Sequence, residues 1–188
     1  MRKPAILILL SLSILITFLE SCTTKCDCLD TYIGVSEYDV KKSIVQTNTT
    51  NFATGFETIF ESSYLNTLIV NDSAYYAQMC QSVINPIRFF DDESGYFFIE
   101  TINDAWVVAH INHDLIGTSR INIQDENGKF FIQEIVETVK YAGYGFVEYY
   151  RKNPSTLENE RKLSFVTSIP SANWFIGTGF YGGPSSAY

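Results

Sequence analysis

Two histidines, His110 and His113, and four cysteines, Cys22, Cys26, Cys28 and Cys80, are the scarce reactive side chains of this 188-residue chain. His110-x-x-His113-Asp114 has the residue types of a metal site. It falls in a β-rich run, however, where positions i and i+3 face opposite sides of a strand and cannot close on one ion. Cys26-x-Cys28 has no second cysteine pair to complete a zinc site, so one disulfide among Cys26, Cys28 and Cys80, or plain thiols, is the default. No cofactor is called for. Nucleophilic catalysis needs a nucleophile, a base and an orienting partner, and neither a Gly-x-Ser-x-Gly elbow nor a phosphate loop is present. These residues point away from an enzyme and towards binding. Strand alternation puts Tyr96, Phe98 and Glu100 on one face of one strand and Trp106, Val108 and His110 on one face of the next. Aromatic rings and an imidazole on adjacent strands can wall a pocket for a small molecule.

Thirteen Lys and Arg against 21 Asp and Glu give a net charge of -8, which argues against electrostatic capture of nucleic acid or anionic lipid. With 46% hydrophobic and only 18% charged residues, the chain has the material for a real core. Its length suits one domain and a short extra segment.

That extra segment is at the start. Arg2 and Lys3 precede an apolar run from Ala5 to Leu19, too short for the ~20 residues of a spanning helix and typical of a secretory signal. Leu19-Glu20-Ser21-Cys22 resembles a bacterial lipoprotein lipobox, which implies cleavage after residue 21 and lipidation of the Cys22 thiol. The expected organisation is a signal over 1–21, a small, polar tether over 22–36, one domain over 37–181 and a tail over 182–188. The expected location is extracytoplasmic, on the periplasmic side or the cell surface, held to the membrane by lipid.

Within the domain, Tyr38, Val45, Thr49, Phe52, Phe56, Ile59 and Tyr64 recur every three to four residues with polar residues between, which predicts one long amphipathic helix over about 37–67. Asn71-Asp72-Ser73 offers capping chemistry for a second helix, and Asn85-Pro86 ends it, because proline disfavours helical geometry in the residue ahead of it. Five β-rich runs follow: Tyr96 to Glu100, Trp106 to Ile111, Tyr144 to Tyr150, Lys162 to Thr167 and Trp174 to Gly179. Asn153-Pro154-Ser155 predicts a hairpin between the third and fourth, hence a mainly antiparallel sheet. Between the second and third runs, Phe131, Ile135, Val136 and Val139 predict a crossing helix within Gly128 to Tyr141. The fold class is α+β.

Eight motifs then stand in order: Asn85-Pro86-Ile87-Arg88, Gly95-Tyr96-Phe97-Phe98-Ile99, Ala109-His110, Gly117, Asp125-Glu126-Asn127-Gly128-Lys129, Gly145-Phe146-Val147-Glu148-Tyr149-Tyr150, Lys162-Leu163-Ser164-Phe165-Val166 and Trp174-Phe175-Ile176-Gly177-Thr178-Gly179-Phe180-Tyr181. Over Ile87 to Tyr181 the chain resembles an extracytoplasmic Cache domain, the PAS-like sensory fold of bacterial chemoreceptors and sensor kinases, in its single-module form. Ile111 stands where that family usually carries proline after the strand histidine. Receptors of this type continue from the Gly-Thr-Gly-aromatic motif into a membrane helix and signalling modules, whereas this sequence closes on Gly182 to Tyr188. A lone domain acting with a separate receptor or kinase partner is therefore expected.

The resemblance implies a PAS-like Cache fold, with the long helix and the second helix packed on the five-stranded sheet, the helices on one face and a pocket between sheet and helices. It also implies that Arg88 and Lys162 are the cations nearest that pocket and Tyr149 its strand tyrosine. With Tyr96, Phe98, Trp106 and His110 these form the expected ligand site, suited to a small organic acid because guanidinium and ammonium groups bind carboxylate and aromatic walls exclude water. Blander readings compete. Arg88 can pair with Asp91 or Asp92, Lys162 with Glu158 or Glu160, and Phe98, Trp106 and Tyr149 can be plain core. The rival function is a structural or interaction lipoprotein whose pocket is filled by Phe89, Phe90, Phe97, Phe98 and Trp106, with the 37–67 helix forming a homodimer.

Overall fold

The computed structural model describes residues 34–62 and 73–183. The expected signal and lipid-bearing Cys22, the tether up to residue 33, the end of the 37–67 helix and the Asn71-Asp72 cap lie outside these residues. By its contacts the chain divides into Met1–Val40 and Lys41–Tyr188. In the first unit, Ser36 Oγ accepts a hydrogen bond from the Asp39 amide at 3.1 Å and opens helix α1.

Helix α1 runs from Glu37 to Glu61 and buries Val45, Thr49, Ala53, Phe56 and Phe60 along one stripe. That stripe is aromatic where it meets the sheet. Phe52 packs 4.6 Å from Phe97, and Phe60 meets Trp174 edge-on at 5.8 Å. Helix α2, Ser73–Ile84, lies on the same side of the sheet through Cys80 and Ile84, and it stops just ahead of Asn85-Pro86 as expected.

Strands β1 (Phe97–Thr101), β2 (Val107–Ala109), β3 (Tyr144–Lys152), β4 (Asn159–Ile169) and β5 (Trp174–Tyr181) form one sheet in the order β2-β1-β5-β4-β3, every neighbouring pair antiparallel. The chain crosses from the β2 edge to the β3 edge through helix α3, Phe131–Ala142, which ends where Gly143 turns left-handed at φ 80° and its N–H reaches Val139 O. Among the described residues, three α-helices and five antiparallel strands give the expected α+β arrangement.

The helices do not share one face. Residues Phe97, Ile99, Trp174 and Ile176 point to α1 and α2, while Tyr96, Phe98, Val147, Tyr149, Val166 and Phe175 point to α3. The α3 stripe of Phe131, Ile132, Ile135, Val136 and Val139 is apolar enough to demand its own burial, and the face left open by α1 and α2 supplies it. Tyr96, Phe98 and Tyr149, three of the residues expected at the ligand site, are therefore on the α3 side. Strand β2 also departs from the expected alternation. Its register shifts between Ile99 and Glu100, and Ala105 takes φ 49° just before it, so Trp106 makes only an isolated bridge to Ser119 and is 49% exposed, while Val108 packs towards the α1 and α2 side.

Candidate functional site

Alternation along four strands delivers a set of polar side chains to the α3 face that an apolar core would not contain. From the β1 side come Tyr96 and Glu100, from β3 Tyr149 and Arg151, from β4 Lys162 and Ser164, and from the end of β5 Tyr181. His110 follows β2, and Arg120 comes from the loop ahead of α3. Glu100, Lys162 and Ser164 have no exposed surface, and His110 and Arg120 are 6% and 4% exposed. Buried charge on this scale is uncommon and must be compensated.

Lys162 is the centre of the set. Its Nζ lies 3.8 Å from the centroid of the Tyr96 ring, 4.9 Å from that of Tyr181 and 5.9 Å from that of Phe98, so three aromatic faces surround the ammonium. It makes no hydrogen bond, and it is one of three buried side-chain atoms among the described residues that lack one; Arg120 Nε and Glu100 Oε2 are the others. Burial pushes the Lys162 pKa down, opposed by Tyr96 and reinforced by the charges of Arg120 and Arg151. Burial raises the Tyr96 phenol, but the Lys162 ammonium, with help from Tyr181 and the Arg120 charge, overrides it and brings the phenol to about 8. The ammonium thus sits close enough to act on the phenol.

Arg120 and Glu100 form the second half of the site. Arg120 Nη1 donates to Glu100 Oε1 at 2.5 Å in a fully buried ion pair. Burial raises the Glu100 carboxyl, and Arg120 and then Arg151 oppose it. The same Arg120 charge acts on Tyr96, His110, Tyr149 and Lys162, which ties both halves into one electrostatic unit. Phe131 of α3 closes one side, stacked on Tyr149 at 4.3 Å with Arg120 and Arg151 over its ring at 5.8 and 6.0 Å. The Tyr149 hydroxyl in turn meets Ser164 Oγ at 2.9 Å.

His110 is held from outside the site. Its backbone N–H donates to Gln81 Oε1 at 2.8 Å and its carbonyl accepts from Gln81 Nε2 at 3.1 Å, so α2 clamps the end of β2. Its Nδ1 accepts from the Asn112 amide at 2.9 Å, which assigns the proton to Nε2 in the neutral ring. Burial lowers its pKa to about 3, helped by the charges of Arg120, Lys162 and Arg151. The ring packs edge-on to Tyr96 at 5.5 Å. His113 faces elsewhere and meets Asn85 Oδ1 at 3.0 Å.

Of the seven expected site residues, Tyr96, Phe98, His110, Tyr149 and Lys162 lie together on this face. Arg88 and Trp106 do not. Arg88 is exposed, and its Nη1 donates to the carbonyls of Asn85 and Ile87 at 2.8 and 2.7 Å, where it braces the turn after α2. Trp106 is turned outwards by the β2 register shift. The residues missed are Glu100, Arg120, Arg151 and Tyr181. Glu100 carried a readable signal, since it shares parity with Tyr96 and Phe98; Arg120 sits in a loop with no periodicity to read.

The glycines of β5 make room for this arrangement. A Cβ on Gly177 would strike the Phe98 ring and Val166, and one on Gly179 would lie 2.5 Å from Leu163 O and 2.9 Å from Lys162 Cε. The Asp125 turn serves α3. Asp125 Oδ1 accepts from the Asn127 and Lys129 amides and Oδ2 from the Tyr150 amide, pinning the start of α3 to β3.

These features can be set beside known proteins. A sensor histidine kinase of Rhizobium johnstonii, MctS, is 29% identical over 135 residues, 71% of this chain but 27% of that protein, so the chain spans about a quarter of this curated relative. A solved periplasmic sensor domain of a chemotaxis protein aligns over 73% of this chain and 95% of its own, with 25% identity and a TM-score of 0.61. A Cache chemosensory domain, solved to explain carboxylic acid recognition, aligns over 79% of this chain and all of its own at 23% identity and a TM-score of 0.62, a likeness of fold. The Cache domain family model matches residues 29–182, and the chain belongs to that family.

Proposed function

We propose that this chain is an extracytoplasmic, sensor-type lipoprotein whose Cache domain, over residues 37–181, binds a small carboxylate at Lys162 and acts with a separate signalling partner. The observation that carries the reading is the Lys162 ammonium, fully buried, ringed by aromatic faces and without a hydrogen bond. An ion in that state costs several kcal/mol, and a carboxylate oxygen would supply both the missing acceptor and the missing charge. Arg120 and Arg151 outnumber Glu100, so the site as a whole favours an anion. Tyr96, Phe98, Tyr149 and His110 would wall it, His110 offering the Nε2 proton as a further donor.

The naming of the relatives as chemotaxis and kinase sensors supports a sensory role and an extracytoplasmic place for this chain. Cys22, with the apolar run before it, supports the lipid anchor. The filled-pocket rival is weakened by where its aromatics go. Phe89 packs on Phe97 and Phe90 on Phe180, away from α3, and Trp106 is exposed, which leaves Phe98 alone of the five on the site's face.

Thermal unfolding of the purified protein against a panel of small carboxylates tests the proposal. A ligand at 100 times its dissociation constant should add about 2.7 kcal/mol to the stability. Absence of a shift with every acid would refute it.

A further inference from the structure

Three buried polar atoms lack partners, and they differ in kind: Lys162 Nζ and Arg120 Nε are donors, and Glu100 Oε2 is an acceptor. A plain carboxylate on Lys162 would answer the first. It would leave Arg120 Nε and Glu100 Oε2 as they are, because Glu100 already holds Arg120 through the other atoms of the pair, Nη1 and Oε1. Buried unpaired groups of this kind persist only where something completes them. What completes a donor and an acceptor borne by one ion pair is a group that both donates and accepts.

From this we infer that the ligand is a small hydroxycarboxylic acid, its carboxylate on Lys162 and its hydroxyl donating to Glu100 Oε2 while accepting from Arg120 Nε. This rests on the carboxylate reading of the site and narrows it. An amino acid fits less well for two reasons. An ammonium has no lone pair for Arg120 Nε, and it would stand beside Arg120 and Arg151, the two charges that act on Glu100. A second carboxylate in place of the hydroxyl would face Glu100 Oε2 acceptor to acceptor. A hydroxyl is neutral, donates once and accepts twice, and so meets both atoms.

The test uses matched acids on the purified protein by isothermal titration calorimetry: glycolate against acetate, lactate against propionate and alanine, 3-hydroxybutyrate against butyrate, and malate against succinate. In at least one family the hydroxy acid is expected to bind tenfold or more tightly than its parent, since a hydrogen bond to a charged group is lost in the parent and the site's own atoms stay unpaired. Parents that bind as tightly as their hydroxy forms in every family overturn this inference and leave the carboxylate reading standing. Alanine binding more tightly than lactate also overturns it. Binding by none of the acids overturns both.

Discussion

Replacing Lys162 by methionine should make the unliganded protein more stable while removing its affinity for carboxylates. Lys162 is buried with no hydrogen bond, and the effective penalty for such an ion is several kcal/mol. The Tyr96 face at 3.8 Å returns about 2 kcal/mol, and the longer contacts to Tyr181 and Phe98 return less. Methionine has a similar length, keeps the contacts of the stem and carries no charge. The net gain for Lys162→Met is about 2 kcal/mol, equivalent to roughly 4–8 °C in Tm for a domain of this size. The sign of its pH dependence follows from linkage. Burial lowers the folded pKa of Lys162 below its ordinary 10.5, so the unfolded chain binds the proton more readily between those two values and the wild type gains stability as pH rises through that window. The advantage of methionine should therefore shrink towards pH 10. Thermal unfolding followed by circular dichroism, on protein freed of ligand by refolding, measures the first effect at pH 7 and 10. Calorimetry with the tightest acid measures the second, with an expected loss of about a hundredfold, the scale of truncating one partner of a buried charge pair. A variant less stable than wild type by 1 kcal/mol or more, or one that binds the acid undiminished, would refute the assignment of Lys162 as an ion awaiting its partner.

His110 titrates at about 3 in the folded state, so as pH falls below 6.5 the unfolded chain gains a proton that the folded one refuses. Between pH 7 and 5 this removes about 2 kcal/mol of stability, and His110→Gln should lose that much less in urea denaturation; an equal drop in both proteins would show His110 protonating in place. Arg88→Ala should change carboxylate affinity by less than about twofold, because the guanidinium is committed to the carbonyls of Asn85 and Ile87 at the surface; a tenfold loss by calorimetry would contradict a site centred on Lys162. Gly179→Ala should destabilise the fold by about 1–3 kcal/mol, since its methyl would meet the Leu163 carbonyl in the neighbouring strand, and chemical denaturation showing a change below about 0.5 kcal/mol would refute that packing.

Much of the scaffold was readable without coordinates because it rests on local chemistry. The three- to four-residue recurrence from Val45 to Phe60 matches the buried stripe of α1, Pro86 marks the stop of α2, and Asn153-Pro154-Ser155 stands between the paired strands β3 and β4. Strand parity put Tyr96, Phe98 and Glu100 on one face, as the structure does. The same parity failed for Trp106, because a register shift one strand away and a positive φ at Ala105 are tertiary accommodations with no signature in the run Trp106 to Ile111. Parity also could not say that α3 takes the opposite face from α1 and α2, since an apolar stripe demands burial but does not name the face of the sheet that supplies it.

The amino-acid sequence by itself determined the elements, their order, the acidic balance and the motifs of a sensory family, because periodicity, caps and turns act over a few residues. Only the tertiary structure decided which charges meet. Arg120 and Glu100 stand twenty residues apart in a loop and a strand, Lys162 lies on a third segment, and no local pattern links them. Burying them behind one helix turns three unremarkable charged residues into unpaired donors and an acceptor, because water no longer competes for their hydrogen bonds. The sequence placed a lysine on a strand; the packing of α3 made that lysine a buried ion without a hydrogen bond.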